Sequence, residues 1–185
     1  MRKLANGLRQ NRQNQSFQLT KEYKGLLNTP ERMIEIALGE VGYVEGPKDN
    51  ETKYGAFTKH NFQPWCGSFL MWCAKKAGVT IPNVVSVIDG MKAFQELDRL
   101  REKPRVGDLA FFNFTKGPIP QHVGLVVEVN QTNVITCVEG NTSSKNQANG
   151  GQVEKKARAT LFVVAYGRPK YTKPELVKEA TSANN

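Results

Sequence analysis

The chain has 185 residues, 39% of them hydrophobic, which predicts one domain with a core of its own. Its formal net charge of +9 and isoelectric point near 9.5 favour an anionic partner. The apolar runs are too short to span a bilayer, and the amino terminus has no secretory signal, so we expect neither stable membrane insertion nor signal-directed export.

Residues 1–28 form a polar, basic arm that carries a net charge of +5. We expect a loosely ordered arm that serves either as an electrostatic tether or as a solvated tail. The sequence Thr29-Pro30-Glu31 then predicts a helix start, because it supplies a cap, a proline at the first position and an acid in the first turn.

Residues 44–63 predict a loop with one helical turn. Its run Asp49-Asn50-Glu51 offers oxygen ligands for calcium, but the order of these residues matches no EF-hand loop. A solvated turn is therefore the favoured interpretation of this run.

The most informative stretch is residues 64–78, PWCGSFLMWCAKKAG. Its apolar residues recur with the period of a helix that begins near Cys66 and ends at Gly78. A helix start presents unpaired backbone N–H groups and a positive dipole end, which lower a thiol pKa and can hold an oxyanion. Cys66 is therefore a candidate nucleophile, although a lone cysteine on an apolar helix face is more often a packing residue.

The rest of the chain predicts one more helix and then a sheet. Apolar spacing indicates the helix between residues 87 and 97, and residues 101–109 predict a turn region. Strands are predicted at 108–114, 122–129, 134–140 and 160–166, with a flexible polar loop at 142–152. Helices followed by adjacent strands define an α+β fold, with N-terminal helices packed on an antiparallel β-sheet.

A predicted hairpin brings two polar residues together. His122 opens a strand after a loop rich in glycine and proline, and Glu139 lies near the end of the next strand. Pairing about a turn at 130–133 places His122 close to residues 139–141. A Cys66 thiolate, an imidazole that moves the proton and a carboxylate that orients the imidazole are the parts of nucleophilic catalysis. Taken singly, His122 could be a satisfied strand-end histidine and Glu139 a surface acid; together the three positions favour a catalytic site.

The other cysteines and histidine carry weaker signals. Cys73 and Cys137 lie in apolar patterns and are predicted to be core residues, and His60 is only a minor catalytic candidate. The chain has no CxxC pair and no set of four closely spaced zinc ligands, so we expect no metal and no other cofactor. The odd cysteine count argues against a disulfide framework.

Five short motifs give the sequence a recognisable likeness. They are Trp65-Cys66, Gly107-Asp108-Leu109, His122-Val123-Gly124, Glu139-Gly140-Asn141-Thr142 and Gly167-Arg168-Pro169. With these motifs the chain resembles, over about residues 30–170, the CHAP family of cysteine, histidine-dependent amidohydrolases and peptidases. The resemblance implies Cys66 as nucleophile, His122 as base, Glu139 as orienting acid and Asn141 as an auxiliary polar group. Some members bind calcium through an acidic segment before the cysteine. The corresponding segment of this sequence has no acid, so we infer no calcium site from the resemblance.

The resemblance also implies a fold and a function. It implies a papain-like/NlpC-type catalytic domain at residues 29–171, between the arm at 1–28 and a flexible tail at 172–185. Such a domain cleaves bacterial peptidoglycan, as an N-acetylmuramoyl-L-alanine amidase or as an endopeptidase. A small, basic member without a signal is similar to a phage endolysin, made in the host cytoplasm and acting on the wall after release, or to a lysin carried in the virion. We expect a monomer whose basic surface is attracted to anionic wall polymers.

Two other classes of function stay open at this point. A virion structural or tail component could use the same fold for wall binding or local wall penetration, and an inert Cys66 would favour it. A nucleic-acid-binding protein is supported by charge alone, because the basic residues are not interleaved with aromatics and no binding motif is present. We therefore expect no nucleic-acid partner.

Overall fold

The computed structural model describes residues 27–130 and 132–172. These residues hold four helices: Pro30–Gly39 (α1), Lys53–Thr58 (α2), Cys66–Ala77 (α3) and Val87–Glu96 (α4). They also hold six strands: Leu100–Arg101 (β1), Leu109–Phe112 (β2), His122–Val129 (β3), Val134–Thr142 (β4), Gln152–Ala159 (β5) and Val163–Gly167 (β6). The α+β prediction is confirmed. None of the helices in these two ranges has the length and hydropathy that a membrane span requires.

Local sequence signals account for the helix ends. The Thr29 hydroxyl accepts a hydrogen bond from the backbone N–H of Arg32 at 3.2 Å, which caps α1 at its predicted start. Helix α3 ends at Gly78, whose φ of 68° is left-handed. The predicted apolar stripe of α3 is confirmed, since all of its members are buried: Cys66, Phe69, Leu70, Cys73 and Ala77.

The six strands form one antiparallel sheet in the order β1-β6-β2-β3-β4-β5. In the β3–β4 hairpin Leu125 pairs with Val138 and Val126 with Cys137, and the register shifts nearer the turn. When this pairing is continued toward the start of β3, His122 comes to lie beside residues 139–141, as the sequence predicted.

The two sheet faces bury separate apolar clusters, because side chains alternate along each strand. Leu109, Val123 and Val138 join the main core between the sheet and the helices. Residues of opposite parity form a second, smaller cluster: Ala110, Phe112, Val126, Ile135, Cys137 and Tyr166. The second face is the one that positions the polar residues described below.

The sequence prediction is wrong at three places in the sheet. Strand β5 was not predicted, because its run of glutamate, lysine and arginine has a low strand propensity and suits an edge strand. The short strand β1 lies at the border of the predicted turn region. The predicted last strand begins with a 3₁₀ turn at Thr160–Phe162, so β6 starts only at Val163. The predicted arm and tail lie almost wholly outside the described residues.

Candidate active site

Cys66 is the first residue of α3 and is 3% exposed. The residue before it, Trp65, takes the cap position without a capping side-chain hydrogen bond, so no side chain competes for the N–H groups of the first turn. The backbone N–H groups of Gly67 and Val123 interact with the sulfur and lower the thiol pKa. Gly67 permits this packing, because a Cβ there would lie 1.9 Å from the carbonyl oxygen of Val84.

His122 is fully buried at the start of β3 and uses its two ring nitrogens differently. Nε2 lies 2.9 Å from Oε2 of Glu139. An ionised carboxylate only accepts hydrogen bonds, so Nε2 is the donor. Nδ1 has no hydrogen bond of good geometry within the described residues and faces Cys66, with which it interacts electrostatically. The ring is flanked by Phe112 and Phe114, with centroids at 6.1 Å and 5.9 Å.

The Cys66 and His122 side chains shift each other's pKa. Burial alone would raise the pKa of the Cys66 thiol, but the facing imidazole and the two backbone N–H groups hold it below its ordinary value. Burial alone would lower the pKa of His122, but the charges of Cys66 and Glu139 raise it to about 9. Both shifts favour a thiolate–imidazolium pair at neutral pH.

Glu139 is fully buried on β4 and is held by Arg158 of β5, which sequence reasoning missed. Arg158 donates from Nε to Oε1 at 2.7 Å and from Nη2 to Oε2 at 2.5 Å. Burial would raise the pKa of Glu139, but Arg158 and His122 hold it below its ordinary value. No sequence pattern indicates this pair, because the strand that carries Arg158 was itself not predicted.

Gly124 makes room for the Glu139 side chain. It lies on β3 two residues after His122, and a Cβ at this position would lie 2.6 Å from Cγ of Glu139. The carboxylate can therefore cross the face of β3 and reach the imidazole only because residue 124 has no side chain.

Asn141, the predicted auxiliary group, makes its side-chain hydrogen bonds to the segment that follows β4. Its backbone is left-handed at φ 56°, and its amide donates to Oδ1 of Asn149 at 2.8 Å. Its own Oδ1 accepts from the backbone N–H of Gly151 at 3.3 Å. The structure thus ties Asn141 to the loop that follows β4, rather than to the imidazole.

Trp65 anchors the entry to α3 through a contact that the sequence did not suggest. Its indole Nε1 donates to Oε2 of Glu45 at 2.6 Å, and its ring stacks on Tyr54 with a centroid distance of 5.3 Å. Gly151 packs against the same Glu45 carboxylate. The loops before α2 and after β4 are therefore both fastened to the residue that precedes Cys66.

The remaining sequence candidates lie outside this cluster. His60 is exposed, and its Nδ1 lies 2.7 Å from the carbonyl oxygen of Thr58. Cys73 and Cys137 are buried, and burial raises the pKa of both thiols, which confirms their prediction as core residues. In the part of the chain that the structure describes, no group of three or more His, Cys, Asp or Glu is placed to hold a metal ion.

Comparison with known families now identifies this arrangement. Residues 58–141 match the family model of the CHAP domain. The chain contains a CHAP domain. The matched segment includes Cys66, His122, Glu139 and Asn141, and the α+β architecture is consistent with the CHAP and papain-like fold.

The CHAP match supports a peptidoglycan hydrolase of the amidase or peptidase type. It is shorter than the likeness over residues 30–170 that the sequence motifs suggested, and it leaves out α1, β5 and β6. No curated protein matches the chain. The pairing of Arg158 with Glu139 therefore joins the CHAP segment to a strand beyond it.

Proposed function

We propose that this protein hydrolyses an amide bond of bacterial peptidoglycan with Cys66 as nucleophile and His122 as general base and acid. The observation that carries the proposal is the buried contact between a thiol of lowered pKa and an imidazole of raised pKa. Glu139 on the far ring nitrogen fixes the tautomer that leaves Nδ1 directed at the sulfur.

The proposed reaction proceeds in two halves. The Cys66 thiolate attacks the carbonyl carbon, forming a C–S bond and a tetrahedral oxyanion. The oxyanion collapses, the C–N bond breaks, and the proton on Nδ1 of His122 passes to the leaving amine, which leaves a thioester. Nδ1 then accepts a proton from water as the water attacks the thioester, and the acid product leaves with the thiolate regenerated.

The oxyanion is assigned to the start of α3. The N–H groups of its first turn have no side-chain cap, and they lie at the positive end of the helix dipole, where Cys66 begins the helix. One such donor contributes about 3 kcal/mol to a transition state of this kind. This geometry suits acyl transfer and requires no group beyond the side chains and amides already present.

The test is digestion of purified cell wall, with the new ends identified by mass spectrometry. Cys66→Ala should abolish cleavage, whereas Cys73→Ala, which removes a buried thiol of the same helix, should not. New amino termini on alanine without new reducing sugar ends would indicate the amidase, and new amines within the cross-bridge the endopeptidase. Wall cleavage by a Cys66→Ala protein would refute the proposed mechanism.

Within this function we propose the role of a phage endolysin, acting on the wall after release from the host cytoplasm. The alternative, a virion component that uses the fold only for wall binding or local penetration, requires no reactive thiol. The lowered pKa of Cys66 supports the enzyme over that alternative. Rapid alkylation of Cys66 at neutral pH is expected for the enzyme, and an inert thiol for the alternative.

We further propose that a basic groove beside β1 contacts anionic wall polymers. The groove has a volume of about 930 Å³ and is lined by four cations, Arg101, Lys103, Arg105 and Arg168, against one acid, Glu102. Arg168 is paired with Asp108, whereas the other three cations have no ion-pair partner within the described residues. Phosphate groups on a wall polymer would complement this excess charge.

The groove is tested with Cys66→Ala protein, which binds walls without cutting them. Lys103→Glu with Arg105→Glu should weaken binding to walls that carry phosphate polymers and leave binding to chemically stripped walls unchanged. Lys75→Glu with Lys92→Glu makes the same charge change at exposed sites elsewhere and should have a smaller effect. Binding that does not weaken as salt rises, or equal losses in both pairs, would refute the assignment.

A further inference from the structure

We propose that Arg158 is a positioning residue that holds Glu139 as a fixed anion against His122 and thereby maintains the Cys66 thiolate. The inference rests on the proposed function, because it assigns a part in the same site. It concerns a residue of β5, beyond the CHAP segment at residues 58–141.

The contact between Arg158 and Glu139 is bidentate and buried. Both carboxylate oxygens accept from the guanidinium, and Oε2 is shared with Nε2 of His122. Arg158 is 5% exposed and Glu139 0%. A two-point contact fixes both the position and the plane of the carboxylate, which a single hydrogen bond does not.

Arg158 is itself held on several sides. Its guanidinium lies over the Phe114 ring at 4.8 Å and the Phe112 ring at 5.7 Å, the two rings that flank His122. Its Nη2 donates to the Thr142 hydroxyl at 3.3 Å, and its Nη1 donates to Oε1 of Gln147 in the loop after β4. The guanidinium therefore links the imidazole, its acid and that loop into one packed unit.

The charges in this unit alternate in sign. In the proposed thiolate–imidazolium state, Cys66 from α3 is negative, His122 from β3 positive, Glu139 from β4 negative and Arg158 from β5 positive. Two other titratable groups lie near Glu139 within the described residues. Cys137 of the same strand has a thiol that burial keeps neutral, and Glu154 pairs with Glu139 in the β4–β5 register and makes a salt bridge with Lys156. A buried carboxylate without a compensating cation would take up a proton, and the imidazolium would then lose its support.

Arg158 also determines what Glu139 does to the proton on Nε2. A carboxylate that already accepts two N–H bonds from a cation is a weak base. Glu139 thus orients the imidazole without removing its proton, and proton exchange is confined to Nδ1, the nitrogen that faces the sulfur.

The experiment measures how fast iodoacetamide modifies Cys66 as a function of pH, by mass spectrometry, and needs no substrate. Arg158→Gln is compared with Arg158→Lys, which retains the positive charge but cannot make the two-point contact with the Glu139 carboxylate. The matched control is Arg168→Gln, which breaks another bidentate pair, with Asp108, at 2.8 Å and 2.9 Å. A fourth protein combines Arg158→Gln with Glu139→Gln.

In Arg158→Gln we expect the carboxyl pKa of Glu139 to rise by about 1–3 units, the usual effect of losing an adjacent opposite charge. Because the protonated acid no longer supports the imidazolium, the acid limb of the pH profile for Cys66 modification should move to higher pH. Arg158→Lys should give a smaller shift in the same direction, and Arg168→Gln should lower stability without moving the limb. Arg158→Gln should add no further shift to Glu139→Gln, because it acts through that carboxylate.

An unshifted limb in folded Arg158→Gln, an equal shift in Arg168→Gln, or a full further shift in the Glu139→Gln background would overturn the inference. If Arg158→Gln does not fold, Arg158→Lys alone tests the inference, and an unshifted acid limb in that variant rejects the inference. A protein that cuts no wall yet shows these shifts would refute the proposed function and leave this inference standing.

Discussion

Replacement of His122 by alanine tests the thiolate–imidazolium pair most directly. In the wild-type protein three influences act on the Cys66 pKa: burial raises it, whereas His122 and the two backbone N–H groups lower it. His122→Ala removes the largest influence that lowers the pKa and retains the burial. We therefore expect the thiol pKa to rise from below its ordinary value to that value or above it.

The size of the change follows from two opposed effects. On the acid side of the pH profile, each unit by which the thiol pKa rises lowers the thiolate fraction about tenfold. Each thiolate also becomes more nucleophilic as its pKa rises, about threefold per unit for a Brønsted coefficient of about 0.4–0.5. The net loss of modification rate there is therefore about threefold for each unit of pKa, and the inflection of the pH profile moves to higher pH.

The assay is iodoacetamide modification of folded protein between pH 4 and pH 10, followed at Cys66 by mass spectrometry. Cys73 and Cys137 serve as internal controls, because both are fully buried and should stay unmodified while the fold persists. A His122→Ala protein that keeps the wild-type inflection would show that the imidazole does not set the thiol pKa. That result would refute the mechanism even if the rate fell.

Three further predictions concern the same site. Because the pKa of His122 is raised to about 9, the imidazolium is present below that pH and is lost above it, so wall hydrolysis should decline as pH rises through about 9, measured by turbidity at constant ionic strength. A decline centred near pH 6.5 would instead show an unperturbed histidine. Gly124→Ala should displace the Glu139 side chain and lower kcat/KM at least roughly tenfold in a folded protein, since a 1 Å misplacement can lower activity about 100-fold; unchanged kinetics would show that the strand can accommodate a methyl group. Asn141→Ala should loosen the loop after β4, detected as faster hydrogen exchange there, and should leave the inflection of the pH profile for Cys66 modification unchanged. A shifted inflection would show that Asn141 acts on the imidazole of His122.

The hairpin is the part of the site that the sequence predicted best, because its register is constrained from both ends. Val123 and Leu125 must face the helices, so a slip of one residue would bury the wrong set of side chains. That constraint, with the short turn, predicts His122 beside Glu139, and the two side chains are hydrogen-bonded in the structure. Cys66 was predictable for a similar reason, since the stripe of α3 fixes which residue begins the helix.

Arg158 was not predictable, because its position depends on tertiary contacts that leave no local pattern. Strand β5 carries charged residues at an open sheet edge, where backbone pairing rather than side-chain propensity forms the strand. The contacts of Asn141 were not predictable for a complementary reason. Its left-handed backbone turns the side chain toward residues 149–151, and a sequence motif does not record that turn.

The working unit of this site extends beyond the segment that matches the CHAP family. The match ends at residue 141, yet the carboxylate that orients His122 is buried and must be neutralised by a cation from β5. Strand β6 then lies between β1 and β2, and α1 packs against α3, which presents Cys66. A fragment limited to residues 58–141 would hold the three reacting groups but would leave Glu139 buried beside no cation or exposed to water, and in either case the imidazole would lose its fixed partner. The domain at residues 29–171 is therefore the smallest unit that we propose as catalytic.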